Sequence, residues 1–139
     1  MDDDPAAVLA FWFGDAFASE GASEGDGDGG GNSPAAARRR WFNATADDDA
    51  LIRDRFAGTL ARAAAGDLDH WRDLPRHRFA LIVVCDQFSR NIHRGTADAF
   101  ATDARALGES LAALAADEIA GLAFDEAAFA LMPLEHSED

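Results

Sequence analysis

Two short strings hold most of the side chains that could do chemistry. Residues 83–94 read VVCDQFSRNIHR, an apolar run that passes, with no intervening glycine or proline, into Asp86, Gln87, Arg90, Asn91 and Arg94. Residues 133–139 read PLEHSED and set Glu135, His136, Glu138 and Asp139 directly behind a proline. Asp86 and Arg90 are four residues apart, the spacing at which a carboxylate and a guanidinium meet on one helix face. Guanidinium forks clamp carboxylates and phosphates. Carboxylates grouped with an imidazole transfer protons or hold a hard divalent cation. Glu135 and Asp139 share a helical face with His136 beside them. None of the short signatures of zinc proteases, thiol redox centres or serine hydrolases accompanies them.

Two uses fit this inventory. Asp86, Arg90 and Asn91 can lock helix ends together, with Asn91 and Arg94 bonding free carbonyls near a helix C-terminus. Alternatively they can wall a pocket, in which Gln87, Arg90, Asn91, Arg94, Glu138 and Asp139 contact a ligand. The expectation is a binding or interaction module whose polar Asp/Arg/His pocket takes a small polar ligand or a peptide. The alternative is a small-molecule hydrolase or metal-assisted enzyme in which Asp86, Glu135 and His136 act as acid, base or ligands.

These strings need elements to place them. Phe79, Ile82 and Val83 fall on the helical meridian of Asp86 and Arg90, while Leu81, Val84, Cys85 and Phe88 cover the other side. A helix apolar all round is central and buried, and a charge buried there without a partner costs several kcal/mol in effective terms. Asp86 and Arg90 must therefore belong to a shared internal network. Around this rod the other elements are signalled by their ends. Asp4-Pro5 and Ser33-Pro34 are cap-plus-proline starts, and Gly14 stops the first helix behind Val8, Leu9, Trp12 and Phe13. Asp47, Asp48 and Asp49 load a helix N-terminus, and Ile52, Phe56, Leu60 and Ala63 continue that helix to Gly66. A linker carries Trp71, and Pro75 opens the central rod. Gly95 and Thr96 break and recap the chain ahead of a stripe formed by Phe100, Ala104, Leu107, Leu111 and Leu114. Phe124 to Asp139 has helical composition, with a kink expected at Pro133.

No strand pattern is present, so the class is all-α: an antiparallel stack of about six helices in one domain, residues 1–139. Residues 18–32, ASEGASEGDGDGGGN, read as a flexible Gly/Asp-rich surface insertion; they lack the spacing and closing glutamate of an EF-hand loop.

Composition sets outer bounds. The 139 residues carry a formal charge of −14, with twelve arginines, no lysine, and nineteen aspartates against seven glutamates. Such a surface repels phosphates, so nucleic acid is not an expected partner. The acidity suits a salt-adapted cytoplasm, where hydrated carboxylates maintain solubility. A single cysteine, Cys85, excludes an internal disulfide. The acidic start MDDDP lacks a signal peptide's positive end, and the apolar run Phe79 to Cys85 is far too short to span a membrane. The expected location is cytoplasmic. Nothing in the sequence specifies a cofactor or an oligomeric state.

The string DQFSRNIHRGTADAFATDARAL, followed after a gap by MPLEHSED, resembles the family called domain of unknown function 924. The likeness rests on Asp86, Gln87, Phe88, Arg90, Asn91, Arg94, Gly95, Thr96, Ala99, Phe100, Ala101, Asp103, Ala106 and Leu107, and then on Pro133 through Asp139; VLAFWFG, Trp41-Phe42 and GDLDHW extend it over most of the chain. It implies an all-helical, TPR-like superhelical fold and a set of candidate positions, but no established activity. It also implies further helices beyond HSED, so that the chain reads as a C-terminally truncated member. Ala127-Ala128-Phe129 departs from the family's usual arginine before the phenylalanine.

Overall fold

The computed structural model describes residues 3–14 and 33–137. The expected insertion at 18–32 lies outside the described residues, as do Glu138 and Asp139. The described residues form six helices and no strand. α1 is Pro5–Phe13, α2 Pro34–Phe42 and α3 Ala46–Ala65. α4 runs over residues 75–92 in three successive segments, described below. α5 is Asp103–Ala115 and α6 Phe124–His136. Short 3₁₀ turns, Asp69–Asp73 and Ala97–Phe100, flank α4.

The helix starts follow from their caps. Asp4 accepts from the Ala6 N–H at 2.9 Å and Ser33 from the Ala36 N–H at 3.1 Å, each followed by proline at a position whose donor is not needed. Thr45 and Asp48 close a reciprocal capping box on α3, and Gly66 ends that helix in the left-handed conformation, φ 88°. Gly14, at φ 118°, lets α1 and α2 meet: a Cβ there would lie 3.0 Å from the Pro34 nitrogen. That close approach brings Trp12 beside Trp41, whose indole N–H donates to the Trp12 carbonyl at 2.8 Å.

α4 is the buried centre. Residues 79–86 and Phe88 are all buried, and α1, α3, α5 and α6 pack around them. Aromatic rings from these helices converge on Phe88, with Phe56 at 4.6 Å and Trp12 at 5.8 Å between ring centroids. Full burial of each such side chain contributes about 1.5–3 kcal/mol. The rod is not a uniform α-helix, however. Pro75–Ile82 is α-helical, Val83–Phe88 is π-helical, and Ser89–Ile92 is α-helical again. The widened turn loosens the usual ladder, so carbonyls become open to other donors. Two side chains take them: the Thr102 hydroxyl donates to the Cys85 carbonyl at 2.7 Å, and Arg90 Nη1 donates to the Asp86 carbonyl at 2.8 Å.

The leucine stripe expected after Gly95 is corrected by the structure. Residues 97–100 form a 3₁₀ turn, and α5 starts only at Asp103. The inward face of α5 is Ala106, Glu109, Ser110 and Ala113, whereas Phe100, Leu111 and Leu114 are exposed. Small residues let α5 approach α4 and α6 closely, as the Ser110 hydroxyl shows by donating to the Ala130 carbonyl at 2.7 Å. Glu109, almost fully buried, accepts from Arg78 and pairs with Arg72. α6 continues through Pro133 to His136 and bonds past it, since the Ser137 N–H reaches the Pro133 carbonyl.

Candidate functional site

Asp86 sits in the π-helical segment with 1% of its surface exposed. Its carboxylate is surrounded by donors: Oδ1 accepts from Arg90 Nη1 at 3.0 Å and lies 2.8 Å from His136 Nδ1, while Oδ2 accepts from the Gln87 side-chain amide at 2.9 Å. Arg90 turns its fork on a second acid, Asp103, through Nη1 at 3.0 Å and Nη2 at 3.1 Å. One buried acid thus positions an arginine and a glutamine from its own helix and a histidine from the last turn of α6.

A neighbouring cluster is built on Asp49, in the first turn of α3. Arg94 donates to it from Nε at 2.7 Å and Nη2 at 3.1 Å, and Asn91 adds a buried bond at 2.9 Å. Burial acts to raise the Asp49 pKa, but the bonds from Arg94 and Asn91 outweigh it and hold the carboxyl below its ordinary value. This corrects the expectation that Asn91 and Arg94 bond free carbonyls at the helix end: both serve a carboxylate from another helix. A terminal carbonyl can be met by water, whereas Asp49, nearly buried, needs charged donors.

Between the clusters opens a cavity of about 490 Å³. Gln87, Arg90, Asn91 and Arg94 form one side, and Trp12, Arg40, Trp41, Phe42, Asn43 and Ala44 the other. Arg40 is held in place by the Phe11 carbonyl, to which its Nη2 donates at 2.7 Å, and by the Phe11 ring 4.2 Å below its guanidinium carbon. The Trp12 indole N–H is buried and has no acceptor among the described residues.

The structure therefore unites Asp86 with His136, and Gln87, Arg90, Asn91 and Arg94 with one another around a cavity. It does not bring in Glu135, which is exposed; no hydrogen bond or ion pair joins it to Asp86 or His136. The expected convergence of three catalytic groups is thus reduced to a pair. Among the described residues, no three His, Cys, Asp or Glu side chains gather in a way that could hold a metal ion. Glu138 and Asp139, expected at the ligand, lie outside the described residues. Sequence reasoning missed Asp49, whose acidity reads equally well as helix capping, and the wall from Trp12 to Ala44. The adjacency of Trp41 and Phe42 to a basic run was the available signal for that wall. No described helix is long and apolar enough to cross a membrane.

Comparison with known proteins agrees with the fold. The chain is similar to the solved structure of a protein of unknown function from Agrobacterium tumefaciens, at 28% sequence identity and a TM-score of 0.77, over 97% of this chain and 65% of that one. The chain thus spans somewhat less than two thirds of the relative's length. No curated protein matches it significantly. Residues 8–139, which include both polar strings, match the model of a family described as bacterial protein of unknown function, DUF924, and the chain belongs to that family.

Proposed function

We propose that this protein is a binding module whose cavity takes a small anionic ligand, with Arg90 and Arg94 as its clamps. One observation carries the reading: four side chains from eight consecutive residues at and just beyond the end of α4, Gln87, Arg90, Asn91 and Arg94, line one cavity together with Arg40. Three guanidiniums line one opening in a chain of net charge −14, and guanidinium N–H groups are the donors that a bound anion needs. Each clamp is pre-set by a carboxylate behind it, Asp86 and Asp103 for Arg90 and Asp49 for Arg94, so little side-chain entropy is lost when a ligand arrives.

The pairing of a buried carboxylate with His136 is also how a general base is oriented. Glu135 does not join it, and His136 is not among the residues lining the cavity. Asp86 and His136 accordingly belong to the framework that fixes Arg90 and Gln87. The same reading takes the helices as a TPR-like stack, the location as a salt-adapted cytoplasm, and a peptide carboxylate as one form of ligand.

Calorimetric titration tests it. The protein should bind small carboxylates or inorganic phosphate, and Arg94→Gln should weaken that binding tenfold or more while the helical circular-dichroism spectrum is retained. Equal affinities for wild type and variant would overturn the assignment.

A further inference from the structure

The charge and the walls of this cavity narrow the ligand class, an inference that rests on the anion-binding reading above. We infer that the cavity takes a monocarboxylate with a flat aromatic body.

Charge comes first. The guanidiniums lining the cavity are Arg40, Arg90 and Arg94, and among the described residues Asp86 and Asp103 bond to Arg90 and Asp49 to Arg94. Each carboxylate beside Arg90 and Arg94 offsets positive charge at the opening, which disfavours a polyanion. Hydrogen bonding agrees. Arg94 spends Nε and Nη2 on Asp49 and keeps Nη1 without an acceptor among the described residues. Arg90 spends both Nη atoms on Asp86 and Asp103 and keeps Nε. These few donors suit the two oxygens of one carboxylate; a phosphate dianion, with four oxygens and twice the charge, is under-served.

The opposite wall supplies the body. Trp12 and Trp41 stack with 6.2 Å between ring centroids and an interplanar angle of 29°. The Trp41 N–H is already committed to the Trp12 carbonyl, so that residue offers the cavity apolar surface only. Phe42, 75% exposed at the cavity edge, leaves a ring uncovered. A ligand ring placed there removes apolar surface from water on both partners and gains edge or offset-stacked contact. An aliphatic dicarboxylate has no ring with which to cover that wall.

The experiment titrates the purified protein with benzoate, succinate, inorganic phosphate and benzyl alcohol. Benzoate should bind at least tenfold more tightly than any of the other three. Phe42→Ala, a change at an exposed side chain, should cost benzoate roughly threefold to tenfold and leave succinate unchanged. Succinate or phosphate binding as tightly as benzoate would overturn the aromatic monocarboxylate while leaving the anion site standing. Benzyl alcohol matching benzoate, or no measurable binding of any of the three anions, would overturn both.

Discussion

His136 Nδ1 lies 2.8 Å from Asp86 Oδ1 across fifty residues of chain, joining the end of α6 to the middle of α4. Asp86 is almost fully enclosed, so each donor removed from it leaves acceptor capacity unmet where water cannot easily follow. His136→Ala should destabilise the fold by about 1 kcal/mol. Asp86→Asn should cost about 3 kcal/mol, because it also strips Arg90 of a buried partner. Urea denaturation of the two variants checks this. A midpoint for His136→Ala equal to that of wild type would show that the contact holds nothing together.

Asp49 gives the fold an acid sensitivity of definite sign. Its folded pKa lies below the ordinary 3.8, chiefly because the Arg94 and Asn91 bonds overcome the opposing effect of burial. A group depressed in the folded state contributes stability above its unfolded pKa and loses it as pH falls through the folded value. Stability should therefore decline as pH drops below about 4. Asp49→Asn should flatten that decline while lowering stability at pH 7. Denaturation midpoints measured between pH 7 and pH 2.5 report both effects, and an unchanged pH slope in the variant would place the acid sensitivity elsewhere. Asp3, bonded to Arg62 and Thr59, and Asp48, bonded to Arg39 and Thr45, are depressed in the same direction and supply the residual slope.

The sequence made α4 legible because its signal was redundant: nine apolar residues within 79–92 leave no polar face for solvent, so the rod had to be central, and the i,i+4 rule then paired Asp86 with Arg90. The π-helical turn was not legible. VVCDQF has no residue type that marks one, and the extra residue per turn is stabilised by Thr102 and Arg90, whose positions depend on the tertiary structure. Asp49 was read correctly as an acid at a helix N-terminus, but its second role was not legible, for a related reason. An acid in the first turn of a helix satisfies the dipole whether or not an arginine 45 residues away also reaches it.

α5 shows how a hydrophobic stripe can mislead. Leucines at helical spacing normally face the core, but here the close packing of α5 needs the small face of Ala106, Ser110 and Ala113, and Leu111 and Leu114 turn outward. Leu111→Ser and Leu114→Ser should each change stability by no more than about 0.5 kcal/mol. Ala106→Leu, which forces extra volume into a fully buried site, should cost about 1–3 kcal/mol. Thermal or urea unfolding of the three variants decides the matter, and a large loss from either serine substitution would return the leucines to the core.

Cys85 tests the enclosure of the central helix without any change in sequence. The thiol is fully buried, and burial pushes its pKa up to about 12, with Glu109 and Asp86 adding in the same sense. The thiolate is the reactive form, so both access and ionisation oppose attack. In the native protein at pH 8, a thiol-specific reagent should therefore modify Cys85 only as fast as the protein opens. Denaturant should raise the rate by orders of magnitude, because unfolding restores an ordinary thiol to water. Asp86→Asn should accelerate native-state labelling in proportion to its loss of global stability, provided that exposure of Cys85 requires full unfolding. Rapid labelling of the wild-type protein without denaturant would mean that the π-helical segment opens locally. The framework behind Arg90 would then be too loose to pre-set an anion clamp.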